Sequence, residues 1–433
     1  MKNNVYSITA AELAAGQAEG LPDELRTDTH LIYNSPGSLD FNSPGASGFG
    51  VKRAGLAIPG SIMLLISPAC CGRNTAALSG PRYADRCAYL ELDENDIVTG
   101  KHLAKIPAAV AAFVASRPTP PSAVSLCITC VDALLGTDME RVARRCAERV
   151  HLPVIPCYMY ALTRESNLPP MVYVRESIYK QLQPRRKDSR AVNILGFFTE
   201  LAPDCELFEL LRSIGIRHIR SLAGCRTYAE FEQLAEANFN LVLTGEVRSS
   251  AAWMERELHI PAIELKRVYS LAQVENQYKG LGHVLGTAFA TERYRAEAEQ
   301  AMMALSQLLA SRDRKPRLAV GSQLNAGPFE LSASLIAAGL DVAEIFGVPQ
   351  PEDSFYIKKI AAVSPTTRIY TNLSPSMLNF DREHSDIELA IGTDAIYYHP
   401  GAIPLSWNDE AQPFGYQGIT LLYRKLREAL TND

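Results

Sequence analysis

The sequence predicts an α/β protein made of three doubly wound domains with mainly parallel sheets. Short, continuous apolar runs recur along the chain, and each is followed by turn residues and a helical pattern. Size points the same way: 433 residues exceed what one core holds, at ~100–200 residues per domain.

The strand-like runs begin with IMLLIS (62–67), AVSLCIT (123–129) and PVIPCY (153–158). VNILGFF (192–198), HIRSL (218–222), NLVLT (240–244) and AIEL (262–265) follow. RLAVG (317–321), VAEIF (342–346), RIYT (368–371) and LAIG (389–392) come last. Between them, TDMERVARRCAERV (137–150) opens with Thr137 and Glu140 at capping-box spacing, which satisfies free donors at a helix start. Residues 291–311 put Tyr294, Ala298, Met302, Leu305 and Leu309 on one helical face. Proline-rich or charged breaks at RPTPPS (117–122), QPRRKDSR (183–190) and SRDRKPR (311–317) are candidate boundaries or surface turns, and the three domains are expected at 1–188, 189–290 and 291–433.

Composition excludes several classes of function. Hydrophobic residues make up 47%, charged residues 21%, and the net charge is −5, so neither nucleic acid nor an anionic membrane is an expected partner. No apolar stretch approaches the ~20 residues of a membrane span. The start, MKNNVYSITAAELAAG, lacks the apolar core of a signal peptide, and a cytoplasmic location is expected. In a reducing compartment, clustered cysteines point to metal or redox chemistry and not to a disulfide scaffold.

Five of the nine cysteines gather at one sheet edge. Cys70 and Cys71 follow the run 62–67 in SPACCGRN, Cys127 and Cys130 end the run 123–129, and Cys157 ends 153–158. Strand ends are where open α/β sheets bind ligands, and thiolates suit Fe–S clusters or zinc. The residues leave three readings open: an Fe–S site, a structural zinc site built from Cys70, Cys71, Cys127 and Cys130, and small buried core residues. Cys146 reads as core beside Val142 and Val150, Cys205 as the first turn of a helix, Cys87 as part of a strand, and Cys225 as a loop residue that could face a cleft.

ISPACCGRN, DENDIVTGKHL (93–103) and LCITCVDALLGTDME (126–140) together resemble the nitrogenase component 1 superfamily. It includes the molybdenum–iron protein subunits, cofactor-assembly relatives, and dark-operative protochlorophyllide reductase. The matching positions are Cys71, then Asp96-Ile97-Val98 with Gly100, then Cys130 with Leu134-Leu135-Gly136-Thr137-Asp138. The likeness is strongest over residues 40–160. It implies a homodimer or a heterodimer with a homologous subunit, holding a [4Fe–4S] cluster through Cys71 and Cys130, with Cys70 and Cys127 as neighbours or spare ligands. An ATP-binding iron protein would supply the electrons, and the chain itself is not expected to bind ATP.

The departures from the family are informative. FNSPGASGFG (41–50) offers Ser43 and Ser47 but no thiol where a further cluster cysteine is usual. Glu246 and Leu405 stand roughly where the family's catalytic subunit ligates its iron–molybdenum cofactor. The resemblance therefore implies a nitrogenase-like reductase without that cofactor, its cleft holding a second metal or a tetrapyrrole. Glu246 and Arg248 are the catalytic candidates, with Arg226, Ser249 and Tyr158 as further lining. An ion pair between Glu246 and Arg248 is the structural alternative, and His283 is expected in the core. A metallocluster assembly scaffold and a non-catalytic partner subunit are the competing functions.

Overall fold

The computed structural model describes residues 5–16, 54–68, 84–128, 136–158 and 170–431. The strands in chain order are β1 (Ile8–Thr9), β2 (Ile62–Ser67), β3 (Cys87–Glu91), β4 (Val124–Ile128) and β5 (Val154–Tyr158). Then come β6 (Asp188–Leu195), β7 (His218–Ser221), β8 (Ala237–Val242) and β9 (Ala262–Glu264). The last are β10 (Arg317–Val320), β11 (Asp341–Phe346), β12 (Arg368–Tyr370), β13 (Leu389–Ile391) and β14 (Ile403–Leu405). Every apolar run read from the sequence is a strand. The two-residue β1 and the three-residue β14 were not read as strands.

These strands form three sheets, of orders β3-β2-β4-β5, β7-β6-β8-β9 and β1-β12-β11-β10-β13-β14. All strand pairs are parallel except β1 with β12. The chain forms two compact units. One comprises Phe49–Phe198 with Ile216–Leu265, and the other Met1–Gly48, Thr199–Gly215 and Lys266–Asp433.

The first of these units carries both four-stranded sheets. Strand β2 is buried along its whole length, as expected of a central parallel strand covered on both faces. Its side chains divide between two cores. Met63 and Leu65 join Cys127, Cys157, Val174, Ile178, Leu195 and Val242. Ile62, Leu64 and Ile66 face Val110, Val142 and Cys146. The helix Met139–Val150 starts one residue later than read: its N-cap is Asp138, whose carboxylate accepts from Arg141 N at 2.9 Å. Asp is as good a cap as Thr, and the sequence offered both.

In the other unit, β11 and β12 pack under the aromatic rings of Phe346, Tyr370, Phe380 and Tyr398. The helix Glu292–Ala310 buries Tyr294, Ala298, Ala301 and Leu305, close to the expected stripe. His283 is corrected: it lies in the last turn of the helix Leu271–Leu285 and is exposed, because that helix turns Val274, Tyr278 and Leu281 inward instead. Among the described residues, no helix is long and apolar enough to cross a membrane.

Candidate functional site

In each four-stranded sheet the strand order reverses once, and that reversal fixes where a ligand crevice can form. For the first sheet it lies between β2 and β4, parallel neighbours ending in register at Ile66 and Ile128. The sequence runs from these two strand ends into Cys70-Cys71 and Cys130, which lie outside the described residues, as do Ser43 and Ser47.

Two thiols of that edge are described. Cys127 and Cys157 pair in register across β4 and β5 and are wholly buried in the apolar core. Burial pushes the Cys157 thiol up to about 12. A thiolate ligand needs the opposite shift, so this environment suits Cys157 as a core residue. Cys127 shares its surroundings. Cys146 is likewise buried, its thiol pushed up to about 11 by desolvation. None of the six described cysteines forms a disulfide.

The second sheet reverses between β6 and β8, and here every side chain is described. Past β8 the chain enters a short 3-10 turn, Gly245–Val247, and then the helix Arg248–Leu258. Glu246 sits in that turn, and its Oε2 accepts from Arg175 Nη2 at 2.8 Å. Arg175 comes from the helix Pro170–Tyr179 and is 5% exposed. It also donates through Nη1 to the carbonyl of Gly196, just beyond β6, and its guanidinium lies 4.2 Å from the Phe198 ring centroid. One buried cation therefore ties together the two strand ends that flank the reversal. A buried guanidinium needs a counter-charge, and Glu246 supplies it.

The expected Glu246–Arg248 pair is thus replaced. Arg248 donates instead to Glu264 beyond β9, from Nε at 3.1 Å and Nη2 at 2.6 Å. Ser249 donates to Glu176, which fixes the same two helices against each other. Arg226 is exposed and donates to Ala223 O at 3.1 Å. Cys225 packs against the core, with its sulfur 3.2 Å from Ser221 O. Tyr158 ends β5, but its side chain lies outside the described residues. Sequence reasoning missed Arg175. The available signal was a charge next to Val174, on the face that carries Val174, Ile178 and Leu182 inward.

The third sheet reverses between β10 and β13, and Asp394, just beyond β13, ties the two strand ends together. Asp394 is fully buried and accepts from Ser322 N at 2.9 Å, Gln323 N at 3.0 Å, Ser322 Oγ at 2.8 Å and Asn372 Nδ2 at 2.7 Å. Two backbone donors of the loop after β10, Ser322 N and Gln323 N, are thus taken up by this internal carboxylate. Leu405 is buried at the end of β14. No group of three or more His, Cys, Asp or Glu suited to a metal ion occurs among the described residues.

The comparisons with known proteins agree with this architecture. The family model for nitrogenase component 1 type oxidoreductases matches residues 47–430. A nitrogenase iron-molybdenum cofactor biosynthesis protein NifE from Rippkaea orientalis is 24% identical over 236 residues, 54% of this chain and 49% of that protein, so the chain spans about half the length of that relative. The NifE of Mesorhizobium japonicum is 27% identical over 393 residues, covering 85% of this chain and 78% of that protein. The solved structure "Nitrogenase Cp1 at pH 6.5" superposes with a TM-score of 0.71 at 15% identity, covering 96% of each chain, a likeness of fold. The chain belongs to the nitrogenase component 1 type oxidoreductase family.

Proposed function

We propose that the chain is an assembly scaffold: it carries a metal–sulfur cluster that is being built and hands it on, acting with a homologous subunit. This reading displaces the catalytic component of a two-component reductase as the leading one. The relatives named above are cofactor biosynthesis proteins. The observation that carries the reading is the state of Glu246. Where a catalytic relative would present a soft thiolate, this chain presents a carboxylate, one oxygen of which is bound to Arg175 at 2.8 Å. A carboxylate is a hard ligand and holds iron–sulfur centres less firmly than a thiolate does, which suits a cargo that must leave. Buried Leu405 supplies no ligand at the other end.

Cys71 and Cys130 are the proposed thiolate ligands of a [4Fe–4S] cluster at the subunit interface, with Cys70 beside them; the burial of Cys127 supports a core role for it. Arg248 and Arg226 are proposed to face an anionic cargo.

The test is transfer. Protein purified anaerobically is assayed for iron and sulfide and then mixed with a cluster-free acceptor of the same family. Re-isolation of both chains shows where the iron went. A scaffold loses its cargo to the acceptor, and Cys71→Ser and Cys130→Ser lower its iron content while Cys146→Ser does not. A cluster that stays in place through repeated dithionite-driven turnover of a substrate would return the chain to the reductase reading. Absence of iron in the wild type would leave it a partner subunit.

A further inference from the structure

A second constellation lies far from these strand ends in sequence, in the unit that contains β10–β14. Ser385 Oγ and His399 Nδ1 are 2.7 Å apart, and His399 Nε2 is 3.0 Å from Glu344 Oε2. The three residues come from different elements. Glu344 is on β11, His399 caps the end of the helix Thr393–Tyr398, and Ser385 is in the loop before β13.

In the neutral imidazole the bonds decide which nitrogen carries the proton. A carboxylate only accepts, so Nε2 is the donor to Glu344 and Nδ1 keeps its lone pair toward the serine. Ser385 then donates its hydroxyl proton to Nδ1. Ile387 N donates to Ser385 Oγ at 3.1 Å and holds that oxygen in place.

Burial separates the roles further. His399 is 2% exposed, with its ring against Phe346 and Phe380 at centroid distances of 5.9 and 5.5 Å. It cannot swing away to water. The side chain of Glu344 is mostly buried, whereas Ser385 is exposed. A base oriented by a carboxylate and hydrogen-bonded to a hydroxyl that solvent can reach is the arrangement that activates a nucleophile, recognised by geometry and not by chain order.

We propose that Ser385 is an activated nucleophile that accepts an acyl group from an activated ester, with His399 as its base and Glu344 as the group that orients the base. In the step, the Ser385 Oγ–acyl carbon bond forms while the hydroxyl proton passes to Nδ1. The bond from the acyl carbon to the leaving oxygen breaks, and the imidazolium returns that proton to the leaving group. Water, deprotonated by the same nitrogen, then releases the acid and restores the serine. Neither a metal nor a redox partner enters this balance.

The intact chain is treated with a fluorophosphonate probe, whose phosphorus takes the serine oxygen as fluoride leaves. The modified residue is located by peptide mass spectrometry and its rate followed by intact mass. The expected result is one adduct per chain, on Ser385, with none on Ser385→Ala. His399→Gln and Glu344→Gln should slow labelling by at least about tenfold, since loss of a base or its orienter typically costs a hundredfold or more. Should His399→Gln fail to fold, Glu344→Gln carries the comparison. The proposal is overturned if the probe labels Ser385 no faster than another exposed serine such as Ser116. It is equally overturned if folded Glu344→Gln labels at the wild-type rate, for the three side chains would then only be tying a loop to the sheet.

Discussion

Replacing Gly415 by alanine should unfold the C-terminal helix from its anchor. Glu206, 1% exposed, accepts from Tyr278 OH at 2.7 Å, Tyr416 N at 2.6 Å and Gln417 N at 3.2 Å. Its carboxylate thus caps the N-terminus of the helix Gly415–Thr431, where free backbone donors and the helix dipole favour an anion. Burial pushes the Glu206 carboxyl up, and these hydrogen bonds pull it back down. Gly415 makes the geometry possible. Its φ is +63°, and a Cβ there would collide with the Glu206 carboxylate oxygen and lie 2.5 Å from the Tyr278 hydroxyl. The left-handed backbone costs an alanine about 1–2 kcal/mol. Displacing the carboxylate weakens bonds worth roughly 1.5–3 kcal/mol each. If one or two are lost, Gly415→Ala costs about 4 kcal/mol. Urea unfolding followed by far-UV circular dichroism measures it, with Glu206→Ala and the double variant completing a cycle. The double variant should be less destabilised than the sum, because removing the carboxylate removes the collision. A Gly415→Ala loss under ~1 kcal/mol, or strict additivity, would refute this account of the cap.

Two further outcomes follow from buried groups. Burial raises the Glu330 carboxyl to about 7, above its unfolded value near 4.5. The native state therefore binds more protons between those limits, and stability falls as pH rises from about 4.5 to 7, by something on the order of 3 kcal/mol. Denaturation midpoints from pH 4.5 to 8 should show that decline in the wild type and not in Glu330→Gln; parallel profiles would count against it. Gly55→Ala places a methyl 2.6 Å from both Cys157 Sγ and Met63 Cε, and overpacking there should cost roughly 1–3 kcal/mol. An unchanged melting temperature would mean that this core is looser than its burial indicates.

Most of the fold was legible because parallel strands buried on both faces write themselves as apolar runs. IMLLIS needs no tertiary context to be recognised, and neither does NLVLT. The strands that escaped, β1 and β14, are edge pieces of two and three residues whose existence depends on a neighbour's backbone.

What the sequence alone determined is the α/β class, most of the strands, the family, and the placing of Glu246 at a strand end. Those properties are local, set by side-chain period and by short motifs. Only the tertiary structure decided the partners. Glu246 meets Arg175, 71 positions away, and not Arg248 two residues on. His283 turns to solvent, while His399 is walled in between Ser385 and Glu344. Which charge is paired, and which imidazole is buried, depends on how elements distant in the chain pack together, and a buried charge accepts whichever counter-charge the packing brings within reach.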